Sequence, residues 1–131
     1  MSPALESSHD PLSQAKTIQA DAALVGFDWP SVEGPIAKVR EEIAEIEDAL
    51  ARGNLHAAKR ELGDVLFAVV NLSRFVDADP NDELRHANER FLTRFALLEK
   101  EVTRSGRTMK QCSLQELDEV WDRVKRTRSN T

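Results

Sequence analysis

Five carboxylates fall in two short stretches of the 131-residue chain: Glu41, Glu42 and Glu45, then Glu61 and Asp64. On a helix, a separation of three residues puts Glu42 and Glu45 on one face about one turn apart, and does the same for Glu61 and Asp64. The connection between the two stretches is short, which makes the helices antiparallel neighbours. At about 100° per residue, Glu42 lies at the edge of the arc made by Val39, Ile43 and Ile46, while Asp64 aligns with Ala68 and Asn71. Acids crowded against a core repel one another and lose hydration, so they need protons, basic side chains or a metal ion to compensate. An all-oxygen set without His or Cys favours Mg²⁺, or Mn²⁺, over zinc, and Mg²⁺ held by a few carboxylates keeps water and recruits phosphates. Any one of these glutamates alone reads as a solubilising surface residue; two facing pairs read as a site.

Other residues could act beside them. Lys38 sits one turn before Glu42, where it neutralises the carboxylates or meets phosphate. Arg90 and Arg94 are one turn apart and could grip phosphate oxygens with their guanidinium forks, or form a solvated face. Trp121 lies on an apolar stripe, where core packing competes with stacking on a base. Trp29 could stack, anchor its loop or pack at a dimer contact. Asn71, on an apolar helix, needs hydrogen-bond partners, which a backbone carbonyl or a sugar would provide. One further motif, Glu83-Leu84-Arg85-His86, matches the E-x-x-H of di-iron bundles, but those need it on two helices and here it occurs once.

The elements that must position these residues follow from punctuation. Asp10-Pro11 caps a helix over about 11–25, with Ile18, Ala22 and Val25 on one side. Gly26-Phe27-Asp28-Trp29-Pro30 and Gly34-Pro35 are breakers, so a loop is expected between them and a second helix over about 35–52, striped by Ile36, Val39, Ile43, Ile46 and Leu50. After Gly53, Asn54 caps a third helix over about 55–77. Its run from Val65 to Val70 is apolar nearly all round, which predicts a place at the centre of the core. Asp79-Pro80 opens a fourth helix over about 80–104, and Ser113-Leu114-Gln115-Glu116 matches a capping box ahead of a shorter last helix. No segment alternates with period two for long. The fold class is all-α: a four-helix core with an additional short C-terminal helix, in one domain over 10–126 between a disordered tail at 1–9 and a frayed end at 127–131.

Composition narrows the function classes. Hydrophobic residues make up 40% and charged residues 31%, as in a packed globular protein. With 18 Lys and Arg against 23 Asp and Glu the net charge is −5, which argues against a nucleic-acid partner and against an anionic membrane surface. Cys112 is alone, so neither an internal disulfide nor a thiolate metal site is available, and a reducing cytoplasm fits. No apolar run reaches the length needed to span a bilayer, and residues 1–10 lack the pattern of a signal peptide.

The segments Lys38-Val39-Arg40-Glu41-Glu42-Ile43-Ala44-Glu45 and Glu61-Leu62-Gly63-Asp64-Val65-Leu66-Phe67-Ala68-Val69-Val70-Asn71-Leu72-Ser73-Arg74 resemble the MazG-type nucleoside triphosphate pyrophosphohydrolases. Gly26 to Pro30, Ala87 to Phe95 and Trp121 are similar to that family too, and the resemblance runs from about residue 12 to 126. The E-E-x-x-E and E-x-x-D pattern is shared with dimeric dUTPases; the Gly-Phe-Asp-Trp loop and the Glu-Leu-Gly-Asp-Val-Leu-Phe run narrow it to MazG. The resemblance implies Mg²⁺-dependent hydrolysis of a nucleoside triphosphate to the monophosphate and pyrophosphate by a homodimer. It assigns the metal to Glu42, Glu45, Glu61 and Asp64, the four acids that spacing singles out. It assigns nucleotide contacts to Lys38 through Glu42, to the stretch with Lys59 and Arg60, to Arg90 through Arg94, and to Trp121. Thr93 stands where relatives often carry Arg, and Thr17, Ala20 and Asp21 where some have basic residues. Some members hold two copies of the domain, and this chain is most like the C-terminal one.

For such a reaction Glu41, about 100° around the helix from Glu42, is the candidate base that activates water, with a metal ligand as the alternative. Two other classes remain open on the residues alone: a non-catalytic helical dimerisation module, and a sensor that binds the triphosphate without turning it over.

Overall fold

The computed structural model describes residues 10–129. The tail expected at 1–9 lies outside them, as do Asn130 and Thr131. Five α-helices make up the described chain, which has no strand: α1 (Pro11–Leu24), α2 (Glu33–Ala51), α3 (Leu55–Phe75), α4 (Pro80–Arg104) and α5 (Leu114–Ser129), with a 3-10 turn at Met109–Gln111 before α5. The all-α expectation holds.

The helix ends follow their chemistry. The Asp10 carboxylate accepts from the amides of Leu12 and Ser13, 3.1 and 3.4 Å away, and Pro11 occupies the first helical position where its missing N–H costs nothing. Asn54 accepts from the amide of Ala57 at 3.0 Å, and Gly53 turns the chain between α2 and α3 at a φ of +68° that favours glycine. The expected capping box is reciprocal: Ser113 N–H donates to Glu116 at 3.0 Å and Glu116 N–H to Ser113 Oγ at 3.1 Å. The start of the second helix differs from the expected one. Because Pro is tolerated in a first turn, α2 already starts at Glu33, and Gly34 and the fully buried Pro35 lie inside it rather than in the loop.

The chain divides into two compact units, through Glu83 and from Leu84 onward. In the first, α2 and α3 run as an antiparallel pair joined at small residues, with Ala49, Ala57 and Ala58 forming a buried cluster. Asn81, in the first turn of α4, donates to Asp10 and Ser13 Oγ, both at 2.7 Å, and ties that turn to the start of α1. In the second unit Leu98, Val102 and Val124 are buried, and Phe91 stacks on Phe95 with ring centres 5.8 Å apart.

The expectation that α3 sits at the centre of the core needs correction. Its buried residues are Ala57, Ala58, Ala68 and Val70, whereas Leu62 and Leu66 each keep 52% of their surface exposed. Small side chains let α3 approach its neighbours closely on one side. The larger apolar side chains stand on a side that the rest of the first unit leaves open. Val25, expected on the α1 stripe, is also exposed, at 85%, because α1 ends before it.

Candidate functional site

The antiparallel pairing of α2 and α3 brings Glu42, Glu61 and Asp64 together, each offering a carboxylate oxygen within 4.8 Å of the other two. Glu42 is buried, with 8% of its surface exposed, Glu61 is half-buried and Asp64 is exposed. The hydrogen-bonded Glu42 carboxyl raises the pKa of Glu61, and partial burial and the charges of Asp64 and Glu45 push in the same direction. A carboxyl raised in this way weakens the fold progressively as pH rises from its unfolded pKa through the raised folded value, and the penalty vanishes at low pH, where both folded and unfolded states are protonated. A divalent cation among these oxygens removes the conflict, and an all-oxygen set of this kind fits a hard ion.

The remaining acids divide. Glu45 is exposed; it reaches Glu61 by charge but does not join the triplet. Glu41 is exposed and faces Lys38, whose Nζ lies 3.5 Å from Glu41 and 3.1 Å from Glu42. The Glu42 contact raises the Lys38 pKa first, so Lys38 stays charged and offsets part of the acidic cluster.

Lys38, Glu42 and Asp64 also line a cleft of about 700 Å³ between α1, the loop that follows it, α2 and α3. Ile18, Gln19 and Ala22 from α1, Phe27, Asp28 and Trp29 from the loop, and Phe67, Ala68, Asn71 and Arg74 from α3 complete the wall. Asp64, Ala68 and Asn71 therefore share a face as their spacing predicts, and seven residues carry the wall about 10 Å along α3 from the acids.

The loop is fastened at two points. Arg74 forks onto Asp28, 2.9 Å to Oδ2 and 3.3 Å to Oδ1, and this guanidinium holds the Asp28 carboxyl below its ordinary pKa. The Trp29 indole lies over Gly34, where a Cβ would come within 2.5 Å of its ring. Trp29 is thus anchored to its own loop and α2 while still facing the cleft. Asn71 finds its partner in Arg74, which donates to its Oδ1. Neither of the two partners expected for it is the one observed.

Lys59 and Arg60 are exposed on the first turns of α3. Arg90, Arg94 and Trp121 belong to the second unit, where Trp121 packs at 5.4 Å from Phe91. Sequence reasoning missed Gln19, Phe67 and the Asp28–Arg74 pair as parts of a cleft. Gln19 had a signal: it is a polar residue between Ile18 and Ala22, on the side of α1 that their spacing marks as apolar.

Residues 31–94 match the MazG nucleotide pyrophosphohydrolase domain. The chain is 40% identical over 114 residues to the nucleoside triphosphate pyrophosphohydrolase/pyrophosphatase MazG of Thermotoga maritima, covering 87% of this chain and 44% of that protein. It is 39% identical over 117 residues to a nucleoside triphosphate pyrophosphohydrolase of Escherichia coli K12, covering 88% and 44%. The chain carries a MazG domain over residues 31–94. It spans less than half the length of these MazG relatives. The MazG match includes Glu42, Glu45, Glu61 and Asp64 and the Asp28 partner Arg74, whereas Gln19 and the Gly26–Pro30 loop precede it. No helix of the described residues is long and apolar enough to cross a membrane.

Proposed function

We propose that this chain hydrolyses nucleoside triphosphates to the monophosphate and pyrophosphate, with Mg²⁺, or Mn²⁺ in its place, held by Glu42, Glu61 and Asp64 and with Glu45 at the rim. The observation that carries the reading is the meeting of three carboxylates on two helices beside a cleft whose lining is largely aromatic and apolar. That combination suits a ligand with a polyanionic end and a flat apolar end. The family relationship supports the same reaction.

A bound cation supplies charge neutralisation for the polyphosphate. The protein's own groups orient and move the proton. Lys38 fixes Glu41 and Glu42 and meets a phosphate oxygen. Glu41 accepts a proton from water as the water oxygen bonds to phosphorus, and the bridging oxygen leaves with pyrophosphate, taking the bonding pair. Trp29 and Asn71 line the space for the nucleoside. Lys59, Arg60, Arg90, Arg94 and Trp121 are proposed as further nucleotide contacts on the family resemblance alone.

We further assign the active form to a homodimer. Leu55, Leu62, Leu66 and Val69 are all exposed on α3, and their steps of seven, four and three make one stripe. A nucleic-acid partner is not part of this reading, since the net charge is −5. The lone Cys112 suits the cytoplasm.

The test is pyrophosphate release from a panel of ribo- and deoxyribonucleoside triphosphates, with and without Mg²⁺, by the unaltered chain and by Glu61→Ala and Asp64→Ala. Release that requires the metal, and falls at least about 100-fold in both variants while they remain folded, is expected. Variants that release pyrophosphate as well as the unaltered chain would overturn the assignment.

A further inference from the structure

Gln19 retains only 6% of its surface, yet it belongs to the cleft wall. Its Nε2 donates to the Phe67 carbonyl of α3 at 2.8 Å. A carbonyl only accepts, so chemistry settles which end of the amide is which, and Oε1 is the end left over. That Oε1 has no hydrogen-bond partner and is the only buried side-chain nitrogen or oxygen in this condition among the described residues. An unsatisfied buried acceptor is destabilising, and an apolar residue at the same place would avoid the cost. Ile18 and Ala22, its neighbours on the cleft side of α1, have no side-chain donor to offer.

The surroundings identify what could satisfy it. Phe67 lies three residues beyond Asp64, so Gln19 meets α3 roughly 5 Å along its axis from the acids. Trp29 and Phe27 from the loop and Phe67 from α3 give the cleft flat apolar surfaces, and aromatic faces of this kind stack on bases without regard to sequence. Stacking alone does not discriminate; an unpaired acceptor beside the ring does.

We propose that Gln19 determines base specificity: Oε1 accepts a hydrogen bond from an N–H on the edge of the nucleotide base, either an exocyclic amine or a ring imide. The inference rests on the nucleotide reading of the cleft and adds the residue that inspects the base. The arrangement predicts rejection of bases stripped of that N–H, because they leave the acceptor buried and unpaired.

Calorimetric binding of non-cleavable α,β-methylene triphosphates to the full chain with Mg²⁺ tests it. Cytidine and adenosine are compared with analogues lacking the amino group, and uridine and guanosine with analogues methylated at the ring N–H. In at least one pair the altered base should bind about tenfold more weakly or worse, and which pair does so tells amine from imide. Gln19→Met should reduce that gap to less than about twofold by weakening only the N–H-bearing member. Equal binding within every pair, binding of none, or a gap that survives the substitution would overturn the proposal. The pairwise comparison on the unaltered chain does not depend on the variant folding. Pyrophosphate release without base discrimination would overturn this inference alone, and discrimination without release would overturn the hydrolase assignment alone.

Discussion

Gly34 and Trp29 show how one missing Cβ shapes a wall. The indole occupies the room above Gly34, and the added methyl of Gly34→Ala would lie 2.5 Å from two ring carbons and 2.9 Å from Cγ. A ring pinned at its own root cannot yield cheaply, so overpacking of about 1–3 kcal/mol is expected. The better helix propensity of Ala returns at most about 1 kcal/mol. The steric term wins: the variant should melt at lower temperature, and its tryptophan fluorescence should shift to the red as the indole leaves its seat. The same scale shows what could be read in advance. Glu42, Glu61 and Asp64 were legible because a local rule, three residues per near-turn, put each pair on one face, and a short connection did the rest. The Gln19 contact with Phe67 and the Arg74 pair with Asp28 join residues 48 and 46 positions apart, and no local periodicity encodes such a meeting.

Among the elements, α5 shows most clearly how a helix start depends on titration. Arg107 pairs with Glu116 and also donates to the Gln111 carbonyl at 2.9 Å, which ties α5 to the 3-10 turn before it. The Arg107 guanidinium, followed by the Ser113 amide and hydroxyl, lowers the Glu116 pKa from 4.5 to about 2. A carboxyl depressed in the folded state stabilises above its unfolded pKa, and that contribution disappears as pH falls through the folded value. Acid should therefore loosen the start of α5 between about pH 4.3 and pH 2, read as loss of amide-exchange protection at Leu117 and Asp118. Glu116→Gln should flatten this part of the profile, and an unchanged profile in that variant would contradict the assignment. Helix starts with a side-chain cap were legible because Asp10, Asn54, Asp79 and Ser113 each satisfy amides that the helix leaves open. The start of α2 was not, because Val32 caps it without a side-chain bond and Gly34-Pro35 reads equally as a loop.

For the molecule as a whole, apolar periodicity told that α3 must be covered but not by what. A helix apolar nearly all round was read as the centre of one chain's core. Its alanines meet its own neighbours instead, while the leucine stripe awaits a second surface. If that surface is another copy, Leu66→Glu places a charge in the contact. The dimer should then dissociate at least about tenfold more readily in sedimentation while the circular dichroism stays helical. A wild-type chain that sediments as a monomer would defeat the dimer assignment. The Ala49, Ala57 and Ala58 contact has a consequence of its own. It acts as a gauge block: the thickness of three methyl groups sets how far apart the two helix axes stand, and therefore the bite of the carboxylates further along them. The radius of the ion that the oxygens can grasp is in this sense determined by residues that never touch it. A bulkier side chain at Ala57 would lever the jaws open with every ligand chemically intact.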